Sequence, residues 1–175
     1  MEPTASVGPE AVGELPLPFD ALYRACAADL YAYVATLLRD RAASEDVTAQ
    51  AFERAFRRRQ TYDARRGTQR AWLFAIARNA ALDELRRRRR TVVLAAEPAD
   101  ADAAGDHHEA AVRRATVRAA LAGLEARDRE LIALKFHAGL SSAEIAAVLR
   151  ISPTNASTRV HRALTRLREA CHAPI

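Results

Sequence analysis

The polar side chains best placed for chemistry lie near the C-terminal end, spaced as the outer face of one helix. The opposite face is an apolar stripe that includes Ala156, Val160 and Ala163. The outer face contains Thr154, Asn155, Ser157, Thr158, His161, Arg162, Thr165 and Arg166. Hydroxyl, amide, imidazole and guanidinium groups bond phosphates and base edges. The pattern therefore predicts a nucleic-acid contact surface.

Capping signals divide the preceding region into a short helix, a tight turn and the longer helix that carries this face. Ser141 and Glu144 have the spacing of a capping box, and Ser152 can cap a helix that begins at Pro153. This order is the helix-turn-helix plan, in which the second helix enters the major groove. Arg150 stands in the turn where glycine would relax a left-handed backbone, which predicts strain of about 1 kcal/mol. A helical hairpin with a plain soluble face is the alternative interpretation.

No residue pattern typical of an enzyme accompanies this surface. The sequence has no activated nucleophile, no carboxylate pair on a rigid frame and no phosphate-cradling glycine loop, so we expect no catalytic residue and no cofactor. His107 and His108 lie beside acidic residues, but neighbours on a flexible tether lack a fixed ligand geometry, so we expect no metal site. Cys26 falls on an apolar stripe and is expected in the core, whereas Cys171 offers no paired spacing.

Charge is segregated along the 175 residues, although the net charge is only +5. Residues 1–18 carry −3, residues 19–90 carry +7, residues 91–111 carry −5 and residues 112–175 carry +6. Lys135 is the only lysine, so nearly all the positive charge is arginine, whose planar fork suits phosphate. Nucleic acid is the leading partner on charge, although a solvated surface would have the same composition.

Breakers and apolar periods predict an all-α fold with two small helical domains on a flexible acidic linker. Four prolines and two glycines interrupt residues 1–18, which we interpret as a disordered tail. Residues 19–90 contain three helices, the second from about Ser44 and the third from about Ala71 with Trp72 facing inward. Residues 91–111 form the linker, and residues 112–175 form the helix-turn-helix domain. No apolar run approaches the roughly 18 residues of a membrane span, so we expect a reducing cytoplasm and no membrane insertion.

Several strings in this order resemble the two-domain, extracytoplasmic-function type of bacterial sigma factor. The resemblance covers about residues 19–90 and 112–170, nearly everything outside the tail and linker. The matching strings are SEDVT at 44–48 with Phe52, AWLFAIARN at 71–79 with Asp83 and Arg86, RDRE at 127–130, GLSSAEIA at 139–146 and STRVHRAL at 157–164. Many regulators share the strings at 127–130, 139–146 and 157–164 alone. Those strings together with the ones at 44–48 and 71–79, joined by a linker, are specific to this family.

The resemblance implies a transcription initiation factor that binds core RNA polymerase, at its beta-prime clamp and beta flap, and promoter DNA. It also implies regulation by an anti-sigma factor. In such proteins the linker threads through the polymerase cleft, although a plain spacer explains this sequence equally well. Unpaired bases need a pocket and a cationic groove for the backbone, which the arginine run 86–90 could supply.

The resemblance also assigns roles to individual residues. The residues similar to those on the clamp-binding helix are Asp46, Gln50, Phe52 and Arg54. The residues implied to face the minus-ten element are Arg65, Arg66, Thr68, Asn79, Asp83, Arg86 and Arg87. The residues implied to contact the upstream, minus-thirty-five element are Thr154, Asn155, Ser157, Thr158, Arg159, His161, Arg162 and Arg166. Trp72 lies beside the base-capturing loop, but core packing explains it better than base stacking.

Two other classes of function compete with this interpretation. A free-standing helix-turn-helix regulator could dimerise through residues 19–90 and bind an operator without polymerase, although it has no reason to carry the block from Trp72 to Arg90. An enzyme or metalloprotein using His107, His108 and the cysteines would contain bound metal.

Overall fold

The computed structural model describes residues 17–91 and 108–172, and within these ranges every regular element is helical. The first domain contains α1 (Phe19–Leu38), α2 (Arg41–Arg57) and α3 (Gln69–Thr91), with short 3₁₀ turns at Arg59–Thr61 and Ala64–Arg66. The second contains α4 (His108–Gly123), α5 (Ala126–Phe136), α6 (Ser142–Leu149) and α7 (Pro153–His172). The predicted all-α fold class with two helical domains is confirmed.

The core of the first domain lies where α1, α2 and α3 meet. Each helix contributes an apolar face, because residues three and four apart share one side of a helix. The buried side chains include Leu22, Cys26, Leu30, Tyr33, Val34, Val47, Ala51, Phe52, Leu73, Phe74 and Ala77. Cys26 is buried as predicted.

The second helix begins three residues earlier than the sequence pattern suggests. Asp40 is its N-cap, and the Asp40 carboxylate accepts a hydrogen bond of 2.8 Å from the Ala43 amide. That hydrogen bond is the leading cause of the lowered pKa of Asp40. Ser44 is instead a fully buried position within α2.

The buried face of α3 includes a residue that the sequence analysis left out. Phe74 is fully buried, with its ring centroid 5.4 Å from that of Tyr33. Trp72 is only half-buried and packs edge-on against Tyr62, with ring centroids 5.6 Å apart. Tyr62 in turn donates a 3.0 Å hydrogen bond to the carbonyl of Gly67 within the loop before α3. The ring contact with Trp72 then joins this loop to the first turn of α3. Trp72 is therefore a packing residue in this structure, as the sequence analysis favoured.

The helix-turn-helix has the predicted caps. Ser141 and Glu144 form a complete capping box at the start of α6, and the Asn155 amide donates to the Ser152 hydroxyl at 3.3 Å at the start of α7. Arg150 has φ 56° and ψ 47°, which confirms the left-handed turn. Ile145, Ala156, Val160 and Ala163 are buried between α6 and α7.

The ends of the predicted linker differ from the helix bounds. The helix α4 begins at His108, so the last four residues of the predicted linker are helical. The remaining linker residues 92–107 and residues 1–16 of the predicted tail lie outside the described residues, as does His107. Contacts also join the two domains, because α1 packs against α5 and α3 packs against α6. The buried apolar cluster is continuous across both domains.

Candidate nucleic-acid interface

The outer face of α7 is exposed as predicted. Thr154, Asn155, Ser157, Thr158, Arg159, His161, Arg162 and Arg166 are all exposed, and Thr165 is half-exposed. The Thr158 hydroxyl donates to the Thr154 carbonyl at 3.0 Å, and the Thr165 hydroxyl donates to the His161 carbonyl at 3.1 Å. Both hydroxyl oxygens keep acceptor capacity for a donor on a base. The face thus combines oriented hydroxyl acceptors with guanidinium donors.

Arg166 has a structural contact in addition to its exposed position. Its guanidinium donates to the carboxylate of Asp128, which is buried in the first turn of α5. This hydrogen bond is the leading cause of the raised pKa of Arg166. The pair fixes α7 against α5, a role that neither residue's position in the sequence indicates. Arg162 and Arg159 lie on the same face, one and two turns earlier respectively.

The loop before α3 brings together three of the residues predicted to face the minus-ten element. Arg65 pairs with Asp63 at 3.1 Å, and Arg66 is exposed beside it. The Thr68 hydroxyl accepts a 3.2 Å hydrogen bond from the Ala71 amide at the start of α3. Thr68 also donates to the carboxylate of Glu144 in the second domain, a contact that no local sequence pattern could show.

The other predicted minus-ten residues share one side of α3. Asn79 is exposed, and Asp83 pairs with Arg86 at 3.0 Å and with Arg54 of α2 at 3.8 Å. Arg87 makes a two-pronged contact with Glu84, with both N–O distances at 2.8 Å. Acidic neighbours therefore hold these arginines in position while their side chains stay accessible.

Glu84 is a site residue that the sequence analysis did not single out. Hydrogen bonds from Arg87 and Arg88 lower the pKa of Glu84 to about 2. Arg88 continues the network to Asp40, at 3.2 Å, so the N-cap of α2 is tied to the end of α3. The sequence signal for this network was an acid three or four residues before an arginine on the same helix.

The residues predicted to bind polymerase do not form one exposed set. Asp46, Gln50 and Arg54 line a groove of about 490 Å³ between α2 and α3, together with Asp83 and Arg87. The groove thus joins the predicted polymerase face to the predicted minus-ten face.

Phe52 lies in a different environment from these three. It is only 6% exposed, and its ring packs against Tyr23 with centroids 4.7 Å apart. The accessible aromatic rings nearby are Tyr23 and Phe56, the latter with the Arg59 guanidinium 4.3 Å from its centroid. The apolar period of α2 predicts an inward position for Phe56 as well as for Phe52, but the Phe56 side chain is 48% exposed, so that expectation is wrong.

The described residues contain no group of three or more histidine, cysteine or acidic side chains that could hold a metal ion. No helix within them is both long enough and apolar enough to cross a membrane.

Comparison with known proteins explains why the two faces occur in one chain. Residues 22–91 match the family model for Sigma-70 region 2, and residues 114–167 match that for Sigma-70 region 4. ECF RNA polymerase sigma factor SigL of Mycobacterium tuberculosis is 35% identical over 151 residues, which is 85% of each chain. The chain belongs to the ECF family of RNA polymerase sigma factors. ECF RNA polymerase sigma factor SigX of Bacillus subtilis is also similar, at 30% identity over 86% of this chain and 82% of the relative.

Solved structures show the same fold. The sigma factor RpoE of Bartonella quintana, in complex with the anti-sigma factor NepR, superposes with a TM-score of 0.73 over 90% of this chain and 98% of that chain, at 22% identity. CnrH, in complex with the cytosolic domain of CnrY, gives a TM-score of 0.62 at 25% identity over 86% of this chain and 85% of that chain.

Family membership establishes the function of the protein as a sigma factor that directs transcription initiation. The stand-alone regulator is not favoured, because the region 2 match covers the domain that such a regulator would use only to dimerise.

The Glu84 network leads to a prediction about stability and pH. The pKa of Glu84 is lowered to about 2 in the folded protein. The Glu84 carboxylate therefore adds to the free energy of unfolding above its unfolded pKa, near 4.5, and this stabilisation is lost as the pH falls towards 2. We expect Glu84→Gln to lower the free energy of unfolding at pH 7 by about 1–2 kcal/mol, since Arg87 is largely exposed to solvent. Urea unfolding of both proteins from pH 7 to pH 2 measures this difference.

The matched control is Glu53→Gln, which removes an exposed acid paired with Arg57 within α2. Exposed ion pairs of this kind contribute about 0.5 kcal/mol or less to the free energy of unfolding. Glu53→Gln should therefore change that free energy only slightly at every pH. A difference between wild type and Glu84→Gln that stays constant from pH 7 to pH 2 would contradict the role of the Glu84 carboxylate.

Proposed function

We propose that this sigma factor binds core RNA polymerase through α2 and the second domain, and that it reads two promoter elements with the polar faces of α3 and α7. The observation that carries this proposal is the presence of two exposed arginine-bearing faces, one within each matched sigma region. One face alone would serve a simple repressor. Two faces on separate domains suit a protein that contacts two segments of one promoter.

In the first domain, the loop that ends at Thr68 and the side of α3 with Asn79, Asp83, Arg86 and Arg87 would hold the opened minus-ten strand. Arg65 and Arg66 extend the cationic surface along the loop. Because Asp83 and Glu84 already orient the arginines, little side-chain entropy remains to be lost when phosphates bind. The adjoining groove with Asp46, Gln50 and Arg54 would receive the beta-prime clamp, and exposed Phe56 and Tyr23 would extend that contact in place of buried Phe52.

In the second domain, α7 would lie in the major groove of the minus-thirty-five element. Thr154 and Asn155 are in its first turn, where the positive end of the helix dipole favours a phosphate. Ser157, Thr158 and Arg162 would reach base edges farther along the groove. The same domain would contact the beta flap, and Phe136, exposed at the end of α5, offers apolar area for that contact.

The wider assignment follows from the same chemistry. Bond formation would be left to the polymerase, so the protein itself would not be an enzyme and would work in the cytoplasm beside its polymerase. The relatives solved with anti-sigma proteins support an inhibitor of that class for this chain. Run-off transcription with purified core polymerase tests the function directly: transcripts should start at one site only when the protein is added. Operator binding without any effect on start-site selection would favour the stand-alone regulator.

Base readout by α7 gives a residue-specific prediction. Arg162→Ala should weaken binding of the holoenzyme to its upstream element by about 1–3 kcal/mol, because a base-reading arginine is lost. The control is Arg168→Ala, which removes an exposed arginine from the last turns of the same helix. Competition binding against a scrambled upstream element measures the preference. Equal loss on both DNA sequences would show that Arg162 contacts only phosphate.

The arginines of α3 give a prediction about salt dependence. Replacing Arg86 and Arg87 by Gln should reduce the slope of log affinity against log salt by about 1.5–2, because two phosphate contacts and their released counterions are lost. Arg24→Gln with Arg41→Gln is the matched control, since both are exposed arginines paired with an acid of their own helix. Promoter binding by the holoenzyme across a salt series measures the slope. An unchanged slope would show that Arg86 and Arg87 face solvent and contact no phosphate.

A further inference from the structure

Five arginine side chains from three helices line one recess on the surface of the protein. Arg78 comes from α3, Arg127 from α5, and Arg159, Arg162 and Arg166 from α7. The recess has a volume of about 300 Å³, and three acidic side chains share its lining. Five positive and three negative groups leave this lining with a net charge of +2. That charge favours an anionic occupant.

Two of these arginines are already paired with acids that are mostly buried. Arg78 donates to Glu130 of α5 at 2.6 Å through Nε and at 3.5 Å through Nη2. Tyr33 of α1 donates to the same carboxylate at 3.3 Å. Arg166 donates to Asp128 in the first turn of α5. The Glu130 and Asp128 side chains are only 12% and 11% exposed, so these neutral pairs form fixed walls of the recess.

The other three arginines have no partner within the part of the chain that the structure describes. Arg127, Arg159 and Arg162 are exposed, and their side chains make no hydrogen bond or ion pair with a described residue. Each guanidinium has five N–H donors in a planar fork, which matches the oxygens of a phosphate. The remaining acid of the lining is Glu125, which is exposed. Three unpaired cations thus outnumber one acid in the recess.

The fold fixes the backbone positions of these three arginines. Arg159 and Arg162 are three residues apart and share one face of α7, whose opposite face is buried at Ala156 and Val160. Arg127 is the second residue of α5, near the positive end of that helix dipole, which adds to the attraction for an anion. Folding therefore brings the three cations together before any ligand arrives.

The recess also has an apolar side. Leu131 of α5 is buried, and Leu149 and Ile151, at the turn between α6 and α7, are partly buried against the same core. Binding sites for small molecules combine an apolar lining with a few well-placed polar groups, which hold the ligand in one orientation. The recess has both parts, with cations at its rim and aliphatic side chains at its base.

Volume and chemistry together indicate the class of ligand. The recess could hold about ten water molecules, at about 30 Å³ each, so a single phosphate would fill only part of it and leave the aliphatic side chains uncovered. A nucleoside diphosphate offers two adjacent phosphates for the three guanidinium groups. Its base and ribose offer apolar area for the aliphatic side chains, and a guanidinium can also stack on the planar base.

We propose that the recess binds a nucleoside diphosphate, with the phosphates on Arg127, Arg159 and Arg162 and the base against Leu149 and Ile151. Arg159 and Arg162 also belong to the face predicted to contact the minus-thirty-five element. The bound nucleotide therefore competes with promoter DNA for these two arginines. The binding site follows from the geometry and charge of the recess, whereas the competition rests on the proposed function.

Isothermal titration calorimetry of the full-length protein, without magnesium, tests the site. We expect ADP and GDP to bind saturably, with one nucleotide per chain. Inorganic pyrophosphate should bind more weakly, because it cannot cover the aliphatic side chains, and adenosine should not bind measurably, because it has no phosphate. Pyrophosphate binding as tight as that of ADP would overturn the assignment to a nucleotide. The absence of saturable binding by both nucleotides would overturn the site itself.

Arg127→Gln tests the phosphate contacts without altering the predicted base-reading face. It should weaken ADP binding about tenfold, as expected for the loss of a charge-assisted hydrogen bond. Arg168→Gln is the matched control, because it removes an exposed arginine of α7 that does not line the recess, and it should leave ADP affinity unchanged. Circular dichroism checks that both variants keep their helix content. An equal loss of affinity in the two variants would mean diffuse attraction to a basic protein and would overturn the site.

Glu125→Gln provides a test in the opposite direction. The carboxylate of Glu125 repels an anion in the recess, so its removal should tighten ADP binding about twofold to fivefold. The Glu125 side chain makes no capping hydrogen bond at the start of α5, so the helix does not depend on its charge. A variant with damaged packing would lose affinity and not gain it. Unchanged or weaker ADP binding by the folded Glu125→Gln protein would place the phosphates elsewhere and overturn the proposed position.

Promoter binding by the holoenzyme tests the competition separately. ADP should lower the preference for the intact upstream element over a scrambled one, and the Arg127→Gln holoenzyme should need about tenfold more ADP for the same effect. Equal sensitivity of the two holoenzymes would mean that ADP acts on the polymerase and would overturn the competition. Absence of start-site selection in run-off transcription would instead contradict the proposed function and leave the calorimetric result intact.

Discussion

Burial of the apolar side of α3 is the constraint on which the rest of the structure depends. Leu73, Phe74 and Ala77 are fully buried against α1 and α2, so the rotation of α3 about its axis is fixed. That rotation directs Asn79, Asp83 and Arg86 to one side, and Arg70 and Arg78 to another. One helix therefore supplies both a surface suited to nucleic acid and the polar contacts to the second domain. A slip by one residue would turn each group by about 100°.

The electrostatics of α3 follow the same division. On the exposed side, Arg86 and Arg87 are held by acids of their own helix, so they remain accessible and need little reordering to meet phosphates. On the inner side, Arg78 is held by an acid from the other domain and is largely desolvated. The two kinds of arginine have the same charge but different partners. Salt should weaken the exposed contacts much more than the buried one, because screening acts mainly through solvent.

Local sequence signals predicted the second domain better than the first. The capping box at Ser141, the N-cap at Ser152 and the left-handed turn at Arg150 depend on residues within a few positions of each other, and all three are confirmed. The start of α2 was predicted three residues late, because Asp40 and Ser44 both have side chains that can cap and only the fold decides between them. Phe74 was left out because α3 is contacted on several sides, which blurs a single apolar stripe.

The contacts between the domains could not be read from the sequence at all. Glu130 and Arg78 are far apart in the chain, and each lies in a string that also matches a family motif, so neither stands out as an interface residue. Polar contacts of this kind have no periodicity, because a single arginine meets a single acid. They lie beside apolar contacts, because the buried apolar cluster is continuous across both domains. The two domains are therefore joined both by packed apolar side chains and by single hydrogen-bonded pairs, and only the folded chain brings either kind of contact together.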